Sequence, residues 1–228
     1  KDSIPEVRGA AISILAQFDA PSAQQVLVEA LNDKEESVRA QAVAALASRI
    51  NEDAKIIDLI VALLKREYDD NVRLAGVNGL GGIPRADVKK MIADYLKDNN
   101  PRMRQTAALS LAAYSDKDSI EQIVPLLNDS SDLVSPTAAV ILSRHIDDFP
   151  QLANQISKFL KEGDTTTQQG ILSGLGQANS LRAMDIIKPY LGDKNPLIIR
   201  QTAMLSLGQI DKPEVMPLLV PVVRNMDW

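Results

Sequence analysis

Arginines recur along the chain at nearly constant spacing, and a row of guanidinium groups on one face can bind phosphate. An acidic residue stands six residues before four of these arginines and seven before the last. Because an acid accompanies each cation, we favour a structural role for the arginines over phosphate binding. Five repeat positions carry the arginine and two carry other polar residues: Arg8, Arg39, Arg73, Arg104, Ser135, Gln168 and Arg200.

Side chains suited to metal binding or nucleophilic catalysis are scarce. The chain has no cysteine, which excludes disulfides, thiolate catalysis and cysteine-ligated zinc. A single histidine, His145, cannot build a histidine-rich metal site. Adjacent acids such as Asp147 and Asp148 fall at predicted helix starts or turns, where they complement the helix dipole. We therefore expect a protein that is not an enzyme and that holds no metal and no cofactor.

Two glycine-rich strings have the composition of phosphate-binding loops, at 79–82 and at 174–176. No predicted strand precedes either string, and no Gly-Lys-Ser or Gly-Lys-Thr follows. Both strings lie at the end of a predicted helix. Their expected role is to let neighbouring helices approach closely.

The elements that carry these residues repeat with one period. A leucine follows seven residues after each of the seven positions, and successive leucines are 31, 34, 31, 31, 33 and 32 residues apart. A fixed period in this range indicates a stacked repeat protein. Apolar residues at helical spacing predict two helices in every repeat. The predicted fold class is therefore all-α.

Each repeat is predicted to contain a first and a second helix. Proline inside a helix removes a hydrogen bond, so kinks are expected in first helices at Pro125, Pro189 and Pro217. Because the array begins with a second helix and ends with a first helix, we interpret the chain as a fragment of a longer solenoid. Second helices are predicted at 4–17, 37–49, 69–81, 100–114, 131–145, 166–177 and 196–210. First helices are predicted at 22–31, 53–66, 86–97, 118–128, 150–161, 181–191 and 213–225.

The overall composition limits the kinds of partner that the chain is expected to bind. Lysine and arginine number 25 against 30 acids, a net charge of −5, and the two signs are mixed along the chain. This distribution argues against nucleic-acid binding, which favours a basic stripe. No run of 18 apolar residues is present, so membrane insertion is not expected. We expect a cytoplasmic protein, although the absence of cysteine leaves an exported compartment open; the composition predicts no oligomeric state.

The repeated string acid-x5-Arg-x-x-Ala-x3-Leu, as in Asp98, Arg104, Ala107 and Leu111, resembles the HEAT repeat family. It is most similar to the short subtype found in phycobilin lyase-type repeats. The resemblance covers 1–228 as a single array. It implies an α-solenoid, a right-handed superhelix of about seven stacked helix pairs. It also implies a ladder of ion pairs between neighbouring repeats, with the arginines facing the acids Asp2, Asp33, Glu67, Asp98, Asp129 and Glu162.

In a HEAT-like array the second helices line the concave surface. Offsets −1, +3, +4 and +7 from the arginine position are predicted to point inward, and offsets +1, +5 and +9 outward. The outward set is nearly uncharged and mixes amides with aliphatic groups, which suits a polypeptide better than phosphate. The predicted partner-binding residues are Leu74, Asn78, Gln105, Leu109, Gln169, Ser173, Gln201 and Leu205.

The sequence thus favours a non-catalytic scaffold that binds a protein or peptide on this surface. One alternative is an enzyme or cofactor handler such as a phycobilin lyase-like protein. That function requires a deep pocket with a catalytic carboxylate and aromatic side chains, whereas one Trp, four Tyr and three Phe are dispersed along the chain. A second alternative is a regulatory module of a larger multidomain protein.

Overall fold

A computed structural model describes residues 2–50 and 54–224, with side chains described as far as residue 220. Within these ranges the chain forms fourteen α-helices, labelled α1 to α14 in chain order, and no strand. The described helices alternate as second and first members of stacked pairs. The predicted α-solenoid is confirmed.

The helices coincide with the predicted ones, with ends that differ by a few residues. The second helices are α1 (Pro5–Leu15), α3 (Glu36–Ala47), α5 (Asp70–Gly79), α7 (Pro101–Ala112), α9 (Val134–Ser143), α11 (Thr165–Gln177) and α13 (Leu197–Gly208). The first helices are α2 (Pro21–Ala30), α4 (Lys55–Leu64), α6 (Ala86–Asp94), α8 (Lys117–Ile123), α10 (Ala153–Glu162), α12 (Leu181–Ile187) and α14 (Met216–Arg224).

Proline shapes two of the three first helices for which a kink was predicted. Helices α8 and α12 end at Ile123 and Ile187, and each continues as a short 3₁₀ segment that contains Pro125 or Pro189. Proline lacks the N–H that an α-helical turn requires, so the tighter winding begins beside it. Beside Pro217 the order is reversed, because a 3₁₀ segment, Pro213–Val215, precedes α14. Pro217 is the second residue of α14, within the first turn, where the missing N–H costs little.

Side-chain caps fix the start of several helices. The Asp69 carboxylate accepts hydrogen bonds from the backbone N–H groups of Asn71 and Val72 at the start of α5. Asp164 accepts from the N–H of Thr167 at the start of α11. These acids satisfy donors that lack a partner in the first turn. The loops before α5 and α11 are therefore held in place by their own side chains.

The chain divides into two compact units, at 1–114 and 115–228. In the first unit the second helices pack side by side, α1 against α3, α3 against α5 and α5 against α7. In the second unit α9 packs against α11, and α11 packs against α13. The first helices from α2 to α12 pack beside second helices of their own unit, as α2 does on α3 and α10 on α11.

The periodic leucines form the core of these layers. Six of the seven leucine positions are fully buried: Leu46, Leu80, Leu111, Leu142, Leu175 and Leu207. Helix α1 departs from the inward pattern, because Leu15 is half-buried while Val7 and Ala11 are exposed. Helix α1 packs against α2 and α3, and those contacts leave Val7 and Ala11 uncovered. Met204 on α13, at the inward offset +4 from Arg200, is also half-buried rather than buried.

Candidate functional site

In the first unit the four predicted partner-binding residues lie on two adjacent helices. Leu74 and Asn78 stand one turn apart on α5, and Gln105 and Leu109 occupy the equivalent positions on α7. None of the four is buried, and Leu109 is 52% exposed. Because α5 and α7 pack side by side, the four side chains form one patch of amide and aliphatic groups. We call it the first stripe.

The second unit repeats this arrangement on α11 and α13. Gln169 and Ser173 are half-buried on α11, whereas Gln201 and Leu205 are exposed on α13. The Gln169 side-chain amide lies 3.4 Å from the hydroxyl oxygen of Thr202, and this contact links the two helices. Leu205 is 72% exposed although it is a leucine in the middle of a helix. These four residues form the second stripe.

The sequence reasoning missed one residue that extends the second stripe. Leu197, the first residue of α13, is 67% exposed. It stands four residues before Gln201 and eight before Leu205, so all three share one side of the helix. Extending the outward offsets back by one turn, to −3, would have included it. On α13 the extended second stripe therefore places the amide of Gln201 between two exposed leucines, Leu197 and Leu205.

The predicted ladder of ion pairs is present in the first unit. The Arg8 guanidinium donates to Asp33 at 2.9 and 2.6 Å. Arg39 binds Glu67 in the same way at 2.8 and 2.9 Å, and Arg73 binds Asp98. Because acids of the neighbouring repeat engage these guanidinium groups, the first-unit arginines have a structural role rather than a phosphate-binding one.

Loop carbonyls complete the guanidinium sites of Arg8, Arg39 and Arg104, whereas Nη1 of Arg73 donates to the Asp70 carboxylate. Nη1 of Arg8 donates to the carbonyls of Asp2 and Ser3, and Nη1 of Arg39 to those of Asp33 and Lys34. Nη1 of Arg104 makes the equivalent pair of bonds. The arginine therefore ties its own preceding loop to the acid of the next repeat. Asp2 contributes its backbone carbonyl rather than its carboxylate.

Ionisation follows from these contacts. The hydrogen bonds from Arg39, aided by the backbone N–H groups of Asp69 and Tyr68, lower the pKa of Glu67 below its usual value. The hydrogen bonds to Glu67 raise the pKa of Arg39 in turn. Both partners hold their charges at neutral pH, as a stable ion pair requires.

The second unit departs from the ladder. Ser135 stands at one arginine position, and its hydroxyl lies 3.3 Å from the Ser131 carbonyl. At Gln168 the side-chain amide donates to the carbonyl of Leu160 at 3.0 Å. Arg200 pairs with the exposed Asp193 at 2.9 Å. Because Ser135 stands at the position whose arginine would face Glu162, Glu162 has no ladder arginine to bind.

The glycine strings serve close packing, as predicted. A Cβ added at Gly79 would lie 2.5 Å from the Cβ of Ala47, and one at Gly174 would lie 2.0 Å from the Ser143 hydroxyl oxygen. Gly82 has a φ of 76°, a conformation that other residues rarely adopt. Helices α3 and α5, and likewise α9 and α11, approach at a distance that only glycine permits.

Other chemistry finds little support in the described part of the chain. His145 Nδ1 lies 3.4 Å from a carboxylate oxygen of Asp148, at a helix end. No group of three or more histidine, aspartate or glutamate side chains is arranged to hold a metal ion among the described residues. Of the described helices, none has both the length and the apolar character that a bilayer crossing requires.

Comparison with known proteins agrees with this geometry. The sequence model for HEAT repeats matches residues 1–57, 57–143 and 153–228. A curated relative, the uncharacterized phycocyanin operon protein Z of Pseudanabaena tenuis (strain PCC 7409), is 23% identical over 189 residues. That alignment covers 77% of this chain and 89% of the relative.

Solved structures share the fold. The Escherichia coli protein YibA is 21% identical with a TM-score of 0.65, over 93% of this chain and 78% of that one. The complex of CpcE and CpcF of phycocyanin lyase from Nostoc sp. PCC7120 gives 17% identity and a TM-score of 0.51, over 90% and 97% of the two chains. The likeness to phycobilin lyase-type repeats is confirmed at the level of the fold.

Proposed function

The chain belongs to the HEAT repeat family, and from this premise we propose that it is a non-catalytic scaffold that binds polypeptide on its second helices. The observation that carries the proposal is the exposure of leucine among amides on that face. Leu109 and Leu205 are more than half exposed in the first and the second stripe respectively. Charged residues make up 24% of the chain, yet the eight predicted residues include none.

The chemistry of the stripes suits an extended polypeptide. Glutamine and asparagine amides offer both donors and acceptors to a peptide backbone. The exposed leucines bury apolar area when a partner side chain covers them. Because the stripes carry no charge, binding should depend only weakly on salt. A partner bound through ion pairs would instead lose affinity steeply as salt rises.

Site-specific crosslinking tests this proposal. A photoreactive amino acid at Gln201 should capture a protein partner, whereas the same group at the exposed Leu181 on α12 should not. Once the partner is identified, Leu205→Asp should weaken its binding while Leu181→Asp, a matched leucine on a first helix, leaves it unchanged. Leu109→Asp tests the first stripe separately. Unchanged affinity in both stripe variants, with helical content preserved, would reject the proposed surface.

A second candidate is a lyase-like handler of bilins. Its support is the similarity to a phycocyanin operon protein and to the CpcE–CpcF complex. On this view the chain acts together with a second protein chain. Absorbance spectra recorded after mixing the chain with free bilin, with and without a candidate partner, separate the two functions. A shifted and persistent bilin band favours the handler, and an unchanged spectrum favours the scaffold.

A further inference from the structure

An open cleft of about 530 Å³ lies in the second unit where the ladder lacks its arginine. Ser135 and Glu162 both line it. They are 27 residues apart, close to the separations of 25 and 28 residues between Arg8 and Asp33 and between Arg39 and Glu67. The cleft thus includes the position at which other repeats hold a guanidinium between an acid and the loop carbonyls.

The lining of the cleft is negatively charged. Its carboxylates belong to Asp132, Glu162 and Asp164, and its one ammonium belongs to Lys158, so three negative charges face one positive charge. Lys158 lies 4.0 Å from Glu162, and both side chains are mostly exposed. Among the described residues no arginine pairs with Glu162. Hydrogen bonds from Thr167 hold the pKa of Asp164 below its usual value, so this acid also stays charged.

Apolar groups line the rest of the cleft. Phe159 is half-buried there, beside Leu127 and Pro136. An aromatic face attracts a guanidinium placed over it, and aliphatic walls cover the methylene stem of an arginine side chain. A guanidinium also donates two parallel hydrogen bonds to one carboxylate, as Arg8 and Arg39 do in this chain.

From these features we infer that the cleft binds the side chain of an arginine supplied by a protein partner. The partner's guanidinium occupies the place that a ladder arginine would fill if position 135 carried one, and it pairs with Glu162. The site is separate from the two stripes, and it stands even if they bind nothing. Its contacts are ionic, so its occupancy should fall as salt rises, unlike binding at the stripes.

A titration with a small probe tests the inference. We would add N-acetyl-L-arginine methylamide to the ¹⁵N-labelled protein and follow the amide signals of Gly163 and Thr167. The control is the citrulline analogue, which has nearly the same shape but no charge. The arginine probe should shift these signals and bind about tenfold more tightly than the citrulline probe. Equal affinity of the two probes, or no shift with the arginine probe, would overturn the inference.

Two substitutions locate the site. Glu162→Gln should weaken the arginine probe about tenfold, whereas Glu121→Gln, an exposed acid on α8 outside the cleft, should leave its affinity unchanged. Ser135→Arg should place a guanidinium of the chain itself on Glu162. That variant should therefore lose probe binding and melt at a higher temperature than the wild type. Wild-type probe affinity in both Glu162→Gln and Ser135→Arg would refute the assignment.

Discussion

Arg8 and Asp33 are joined by two parallel hydrogen bonds, from Nε at 2.9 Å and from Nη2 at 2.6 Å. The same Asp33 carboxylate accepts the backbone N–H of Glu35 at 3.0 Å, just before α3 begins. One acid therefore holds the arginine of the preceding repeat and shapes the loop that starts its own second helix. Glu67 combines the same two roles, because it binds Arg39 and accepts the N–H groups of Tyr68 and Asp69.

The ladder should contribute measurably to stability. Arg39→Ala removes a two-pronged bond and leaves the carboxylate of Glu67 without its cation, at a cost of about 1.5–3 kcal/mol. Arg85→Ala is the control, because Arg85 pairs with two exposed acids, and such surface pairs contribute little to stability. Urea denaturation followed by circular dichroism compares the two variants. Similar losses of unfolding free energy in the two variants would show that the ladder stabilises the fold no more than a surface ion pair does.

Acid should weaken the same contact. The folded protein lowers the pKa of Glu67 from its usual 4.5, so the ion pair stabilises the fold fully above that value. This stabilisation is lost as the pH falls through the lowered pKa. The wild type should therefore exceed Glu67→Gln in unfolding free energy at pH 7, and the gap should close in the acid range below pH 4.5. A gap that does not change with pH would exclude Glu67 as the titrating group.

The repeat period predicted the helices and the buried leucines, because both follow from local spacing, whereas the ladder was implied by the resemblance to the HEAT repeat family. The period did not predict those features that depend on which other helices pack against a residue. Val7 has the inward offset but is exposed, since no contact of α1 covers it. The sequence shows that Ser135 stands where other repeats have an arginine. The cleft around Ser135 also depends on Phe159 and Glu162 of α10, however. Such coincidences between distant residues are not encoded in the spacing of one repeat.

Two leucines on one helix test the distinction between the buried face and the first stripe. Leu111 is fully buried, whereas Leu109, two residues earlier, is 52% exposed. Leu111→Ala should cost about 2–5 kcal/mol, because it removes a buried side chain and leaves a cavity. Leu109→Ala makes the same chemical change and should cost no more than about 0.5 kcal/mol. Chemical denaturation measures both, and equal costs would contradict the assignment of faces on α7.

Close approach of helices should make one glycine position far more sensitive than another. A methyl group at Gly79 would lie 2.5 Å from the Cβ of Ala47, and a backbone-anchored methyl cannot rotate away. Helices α3 and α5 must then separate, so Gly79→Ala should destabilise by about 1–3 kcal/mol. At Gly208 the added methyl meets open space, and Gly208→Ala should be neutral or stabilising by up to about 1 kcal/mol, because alanine favours the helix. Thermal denaturation of both variants separates the two effects. A Gly79→Ala protein that melts at or above the wild-type temperature would show that α3 and α5 do not need this glycine.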